Sequence, residues 1–396
     1  ILRRTEPAAN AGDYWMACLL YWGMFLPLGD IFSIDSLPKK KKEDATISLA
    51  SAAFLTQVLV VYLYAGISKL HGDWLNGSAV GYVLSVHDHG TWVGEFLNTS
   101  RITTCFLTAL TPLLEIVGPL LFLFCGNRSM RRYIAFSFIL FHIGIWIALS
   151  VGMFSPIGIT AWIALIPWRT NRVEPYVEKL EHNQRGRPLF RCPKRVKNCF
   201  VITSLFVAGL SLFFNIFSPE GKRPNWMTLA INALTLEQTW GVFGRVGPQE
   251  QWVTGKATLK DASVVDLLRQ GRSFQAVRPP GGFSSLPNHR WHKIFWELPK
   301  TRRSPLREPI AAGLVADWNR RHSNSKRVQN LEIYFTQVIH KDKGTANEFP
   351  RLNREGIAQE FAPDTVLRQW LLASWPERGV GSGNLDRFLE ENRPAP

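Results

Sequence analysis

Three ionisable side chains, Lys69, Glu115 and His142, fall inside or at the edge of long apolar stretches. Charge is costly in hydrocarbon, so such groups pair, reach the interface or work in a site. Lys69 closes the hydrophobic run that begins near Ile47, in the text Tyr62-Leu63-Tyr64-Ala65-Gly66-Ile67-Ser68-Lys69-Leu70-His71-Gly72-Asp73-Trp74. It shares a helical face with Tyr62 and Ala65. A lysine partly desolvated at a helix end can act as a base. Its stem can equally snorkel and leave the ammonium among headgroups. Glu115 lies deep in the segment from Thr103 to Phe124, where Thr104, Thr108, Thr111, Glu115 and Gly118 recur at helical spacing. That polar, small-residue face must point inward. The carboxylate there either orders the bundle through a hydrogen bond or accepts a proton, with Lys69 or His142 as its partner. His142 sits mid-span as a lone core histidine, a proton shuttle, a quinone ligand or a metal ligand. No second histidine at i+3 or i+4 supports a helix-borne metal site, and no metal is expected.

Other clusters carry less. His71, Asp73, His87 and His89 crowd one loop, and His87-Asp88-His89 would place two imidazoles on one side of an extended segment. The spacing supplies no third and fourth ligand. Asn288-His289-Arg290-Trp291-His292 reads as a surface strand edge. Phosphate-binding glycine loops, nucleophile elbows and Walker-type motifs are absent from the sequence.

The elements that must position these residues are helices. A spanning helix needs about 20 mostly apolar residues. Candidates fall near 14–37, 47–70, 101–125, 133–153, 154–168 and 198–217, the fifth bounded tightly by Pro156 and Pro167. The expected fold is a membrane all-α helical bundle of about five to six spans, followed by a small soluble α+β domain. The domains divide at 1–217 and 218–396. Trp15, Trp22, Trp74, Trp92 and Trp168 cluster near the span ends, as aromatic belts do. Residues 77–97 form an amphipathic piece suited to the membrane surface.

Basic residues set the orientation. Lys39-Lys40-Lys41-Lys42, the group Arg128, Arg131 and Arg132, and the loop at 169–197 carry the positive charge, whereas 71–100 is nearly free of it. With the basic loops cytoplasmic, the last span runs outward and the C-terminal domain lies outside the cytoplasm. Much of the formal net charge of +15 therefore faces lipid headgroups, and no nucleic-acid partner is expected. The 5 cysteines show neither a disulfide framework nor zinc spacing. The chain opens on Ile1, and Leu2-Arg3-Arg4-Thr5-Glu6 reads like the middle of a loop, so earlier spans are expected to precede it.

In the C-terminal part, alternation predicts strands at 252–259, 292–297 and 331–338. Pro305 to Arg321 reads as a helix with Ser304 as N-cap, 272–289 as a loop, and the tail beyond 377 as loosely held.

Several stretches together resemble the transmembrane domain shared by vitamin K-dependent γ-carboxylases and bacterial HTTM (horizontally transferred transmembrane) proteins. They are Gly12-Asp13, Phe25-Leu26-Pro27-Leu28-Gly29, Ser33-Ile34-Asp35, Ala65-Gly66-Ile67-Ser68-Lys69-Leu70, Asp73-Trp74, Phe141-His142 and Ser150-Val151-Gly152-Met153-Phe154-Ser155. Leu236-Glu237-Gln238-Thr239-Trp240-Gly241-Val242-Phe243 resembles the segment after the last helix in bacterial members. The resemblance spans about 13–168 and implies further N-terminal helices before Leu2. It implies that Lys69 is the base that deprotonates a quinol such as menaquinol or vitamin K hydroquinone, and it places His142 on a family histidine. Oxygen then converts the quinol towards an epoxide, and the strong base so formed opens a peptide glutamate to carbon dioxide. Two positions depart from the carboxylases: Ser68 stands where they carry a second lysine, and Asp30 where they carry a histidine.

Two function classes follow. One is a quinol-handling, carboxylase-like enzyme of the bacterial inner membrane, with Lys69 as base and His142 and Glu115 shaping the pocket. The other is a non-catalytic scaffold that anchors the 218–396 domain to a protein partner. A carrier fits less well, because no pair of broken helices suggests inverted repeats.

Overall fold

A computed structural model describes residues 8–26, 48–85, 89–167, 194–217, 223–247, 249–275, 278–279, 282–340 and 365–376. The expectations placed on Asp30, Lys39–Lys42, His87, Asp88, the greater part of the 169–197 loop and the tail beyond 377 lie outside the described residues.

The membrane part contains α1 (Ala11–Gly23), α2 (Leu49–Ile67), α3 (Gly72–Leu75), α4 (Ala79–Ser85), α5 (Trp92–Leu97), α6 (Arg101–Phe124), α7 (Arg128–Ala148), α8 (Phe154–Leu165), α9 (Lys194–Phe217) and α10 (Asn225–Leu234). Among the described residues, α2, α6, α7 and α9 are long and apolar enough to cross a membrane. Their ends follow capping chemistry: Ser48 and Ser51 close a capping box on α2, and the Ser100 hydroxyl accepts from the Thr103 amide at the start of α6. Their outer faces are apolar, with Phe106, Leu113, Leu140, Trp146 and Phe206 exposed as lipid-facing side chains would be.

The span expected at 14–37 is described only as far as residue 26, and the helix at 154–168 is shorter than expected. The described helix of the first is 13 residues, Ala11–Gly23. The other, α8, has 12 residues, about 18 Å at the helical rise and short of a ~30 Å hydrocarbon core. It nevertheless returns beside α7, and Arg132 near the start of α7 donates to the Pro167 carbonyl at 3.2 Å. The 77–97 piece is not one surface helix. It breaks into α4 and α5, and α4 packs against α6 with Ala79, Tyr82, Val83 and Leu84 buried.

After α9 the chain dips back into the bundle. Met227 and Ile231 of α10 pack on Val207 of α9, and Leu236 and Trp240 join the core of α1, α2 and α8. Thr235 turns the backbone with φ 57, a left-handed conformation uncommon outside glycine. Non-helical backbone at this depth needs protein partners. The Cys18 thiol supplies one, donating to the carbonyls of Thr235 and Glu237 at 3.5 and 3.8 Å.

The C-terminal part is an antiparallel sheet of order β3-β2-β1-β4-β5, comprising β1 (Gln249–Leu259), β2 (Val264–Asp266), β3 (Arg272–Ser273), β4 (Val328–His340) and β5 (Thr365–Trp375). Val253 pairs with Phe335 in the long β1–β4 ladder. Two helices, α11 (His289–Glu297) and α12 (Arg307–Arg321), cover it, and Ala311, Val315 and Trp318 share a core with Val253, Leu331 and Ile333. Thus 292–297 is helical rather than a strand, because Asn288 caps it by accepting from the amides of Arg290 and Trp291. Ser304 is not the N-cap of α12. A 3-10 turn, Thr301–Leu306, leads into the helix and Leu306 holds that position. The 272–289 loop contains β3 and a further 3-10 turn, Gly282–Ser285.

Candidate functional site

Lys69 lies two residues beyond α2 and is only 3% exposed, so it is not an interfacial anchor. Its ammonium donates to both carboxylate oxygens of Glu115, at 2.8 and 3.2 Å, and to the Ala65 carbonyl at 3.2 Å. An ammonium has three protons to donate, so all are placed. The Trp74 ring lies 5.3 Å from Nζ, within cation–π range.

The elements explain the meeting. On α6 the face holding Thr104, Thr108, Glu115 and Gly118 is buried, as its spacing requires. The threonine hydroxyls return bonds to their own helix, Thr108 to the Thr104 carbonyl at 2.7 Å and Thr111 to the Leu107 carbonyl at 2.8 Å. They therefore leave Glu115 to Lys69. Gly66 lets α2 approach α6, since a methyl there would come within 2.7 Å of Cγ1 of Ile116 and 3.0 Å of Cβ of Glu115.

His142 belongs to a different pair. Its Nε2 and the Tyr62 hydroxyl are 2.6 Å apart in a fully buried contact. Trp15, Phe138, Phe141 and Phe154 surround the two rings. Gly158 on α8 makes room, because a Cβ there would overlap the imidazole. The shared helical face of Tyr62 and Lys69 thus serves two partners, one on α7 and one on α6. A third pair lies lower on α2. Gln57 and Gln238 exchange reciprocal amide bonds at 2.9 and 3.1 Å, with the Trp22 and Trp240 indoles donating to their oxygens. The returning segment then rises along α2, where Gly244 meets Ser68 and the Phe243 carbonyl accepts from Trp74 at 2.9 Å.

Sequence reasoning did not join Gln57 to Gln238, nor Tyr62 to His142. The signals were a polar residue in each apolar stretch, which had to find a partner. Among the described residues, no group of three or more His, Cys, Asp or Glu side chains is arranged to hold a metal ion.

Apolar helices holding buried polar pairs, with a sheet part attached, define an integral membrane protein. Residues 11–167, the stretch from α1 to α8, match the family model of the HTTM domain. No curated protein and no solved structure matches the chain.

Proposed function

We propose that the HTTM domain handles a lipid-soluble quinol, such as menaquinol or vitamin K hydroquinone, with the Lys69–Glu115 pair as its proton acceptor. The observation that carries this is the buried pair itself, 2.8 Å long beneath the Trp74 ring. A buried ion pair is weak evidence for stability, since apolar residues of similar volume often do as well. An ionisable pair within a bundle is by default a functional group.

The donor set suits the group. Moving one proton across the 2.8 Å contact gives an amine beside a carboxyl. The amine nitrogen then has a lone pair to receive a hydroxyl proton, and Glu115 holds the proton it took. Trp74 offers an aromatic face at the same place. A bound quinol would supply the acidic hydroxyl and the electrons that oxygen takes, the chemistry that carboxylase-like proteins couple to carbon dioxide capture. Tyr62, about two turns back along α2, makes a separate buried contact with His142.

In this reading α1 to α10 and residues 235–247 make the membrane part, and the sheet part stands outside the cytoplasm of a bacterial cell. A second reading has its own support. Every ammonium proton of Lys69 is already placed, as in an ordering contact of a scaffold that holds the sheet part for a protein partner. Oxygen-dependent oxidation of menaquinol and vitamin K hydroquinone by the protein in lipid nanodiscs, with labelled carbon dioxide present, decides between them. Turnover is expected in the wild type, falling by roughly 10²-fold or more in Lys69→Met if the lysine is the base. A folded wild type that turns over neither quinol supports the scaffold.

A further inference from the structure

A partly open cavity of about 150 Å³ separates α11 from the start of α1. Its polar wall holds His89, His289, His292 and Lys293, and its apolar wall includes Phe154 and Trp296. The imidazoles are in mutual contact, with His89 stacked on His292 at 5.1 Å and His289 edge-on to His292 at 5.4 Å. We propose that this cavity binds a small organic carboxylate whose apolar body rests on the Phe154 and Trp296 side.

Charge selects the ligand's sign. Among the described lining residues Lys293 carries the one fixed charge; it shares Glu297 with Lys300, and Arg290 grips Asp13, all four of these outside the lining. Both carboxylates are engaged, and neither lines the cavity. A cation would meet the Lys293 ammonium with no carboxylate in the described lining, and the described groups offer no metal-binding arrangement. An anion would face the Lys293 ammonium and the three imidazoles. Among the described residues, the groups around the imidazoles come from α11 (Arg290, Lys293, Glu297), from α1 (Asp13) and from the stretch ahead of α5 (His89), while Val151, Phe154 and residues 242–243 contribute apolar side chains. Burial, then His89, His289 and Lys293, push His292 down to about 2. Burial, Arg290 and Lys293 lower His289 as well. Both rings are therefore neutral at neutral pH, chiefly through burial, and a carboxylate bound beside them favours their protonated forms. Binding then draws a proton onto the cluster, and affinity rises as pH falls.

Benzoate is a suitable probe, and benzamide its neutral match. The protein in lipid nanodiscs is titrated by calorimetry and saturation-transfer NMR. Saturable benzoate binding is expected, roughly tenfold or more tighter at about pH 6 than at about pH 8, a shift worth one pKa unit or more. It should weaken at least as much in His289→Gln, a half-buried position, and in Lys293→Gln. It should persist in Lys69→Met/Glu115→Leu, whose altered residues do not line the cavity, so the outcome is independent of quinol turnover. Absence of benzoate binding at the lower pH, equal binding of benzamide, or unchanged binding in a folded His289→Gln overturns the proposal.

Discussion

In the helical bundle Lys69 finds Glu115, Tyr62 finds His142 and Gln57 finds Gln238, each across a helix–helix or helix–segment contact. In the sheet part Arg269 donates to Asp266 and also to the carbonyls of Val253 and Gly282, and Arg307 donates to those of Leu298 and Pro299. The difference follows from backbone accounting. A helix spends its carbonyls internally, so its buried amide, carboxylate and imidazole groups pair with other side chains, while hydroxyls such as those of Thr108 and Thr111 share a carbonyl of their own helix. The turns around the sheet leave carbonyls over, and buried arginines collect them. The Ala65 carbonyl, which Lys69 also uses, lies in the last turn of α2, where helices run short of donors. One substitution in the bundle therefore strands a side-chain partner, whereas in the sheet part the loss of Arg307 strands carbonyls and only the loss of Arg269 also strands a carboxylate, that of Asp266.

The largest effect is expected at the ion pair. Lys69→Met leaves Glu115 buried without its cation and should destabilise by about 3–5 kcal/mol, while Lys69→Met/Glu115→Leu should regain most of that. Thermal unfolding in nanodiscs compares them. Gln238→Leu strands Gln57 and the Trp240 indole, at about 1–3 kcal/mol by the same measurement. Arg307→Met in the sheet part should cost less than Lys69→Met, about 1–2 kcal/mol; an equal loss would break the contrast between the two parts. The smallest effect is the acid response of Glu297. Burial raises its pKa, but Lys293 and Lys300 outweigh burial and hold it down to about 2. A depressed carboxyl stabilises above its unfolded pKa of about 4.3 and loses that contribution as pH falls through about 2. Acid unfolding of wild type should thus lose its difference from Glu297→Gln across that window.

The inward face of α6 was legible, because threonine, glutamate and glycine at helical spacing on an apolar helix admit one orientation. Lys69 was legible only as a choice between anchor and site, since its partner lies 46 residues away and spacing within α2 is silent about α6. The dip at 225–247 was hidden for a different reason. Its helix is 10 residues and amphipathic, and the irregular segment after it is held by Gln238 on Gln57 and by the Cys18 thiol of α1 rather than by a ladder. Six residues of α11 alternate as a strand would, and only Asn288 as a cap favoured the helix. β5 escaped notice because its apolar residues do not alternate cleanly, and pairing with β4 supplies what its own pattern lacks.

The most direct test of the Lys69–Glu115 pair as a proton acceptor is quinol oxidation by Lys69→Met/Glu115→Leu beside wild type, in nanodiscs and with unfolding curves on the same samples. Near-wild-type stability with turnover lost by roughly 10²-fold or more is predicted. A stable double variant that oxidises quinol as fast as wild type would contradict the account, and the pair would then be a contact that orders the bundle.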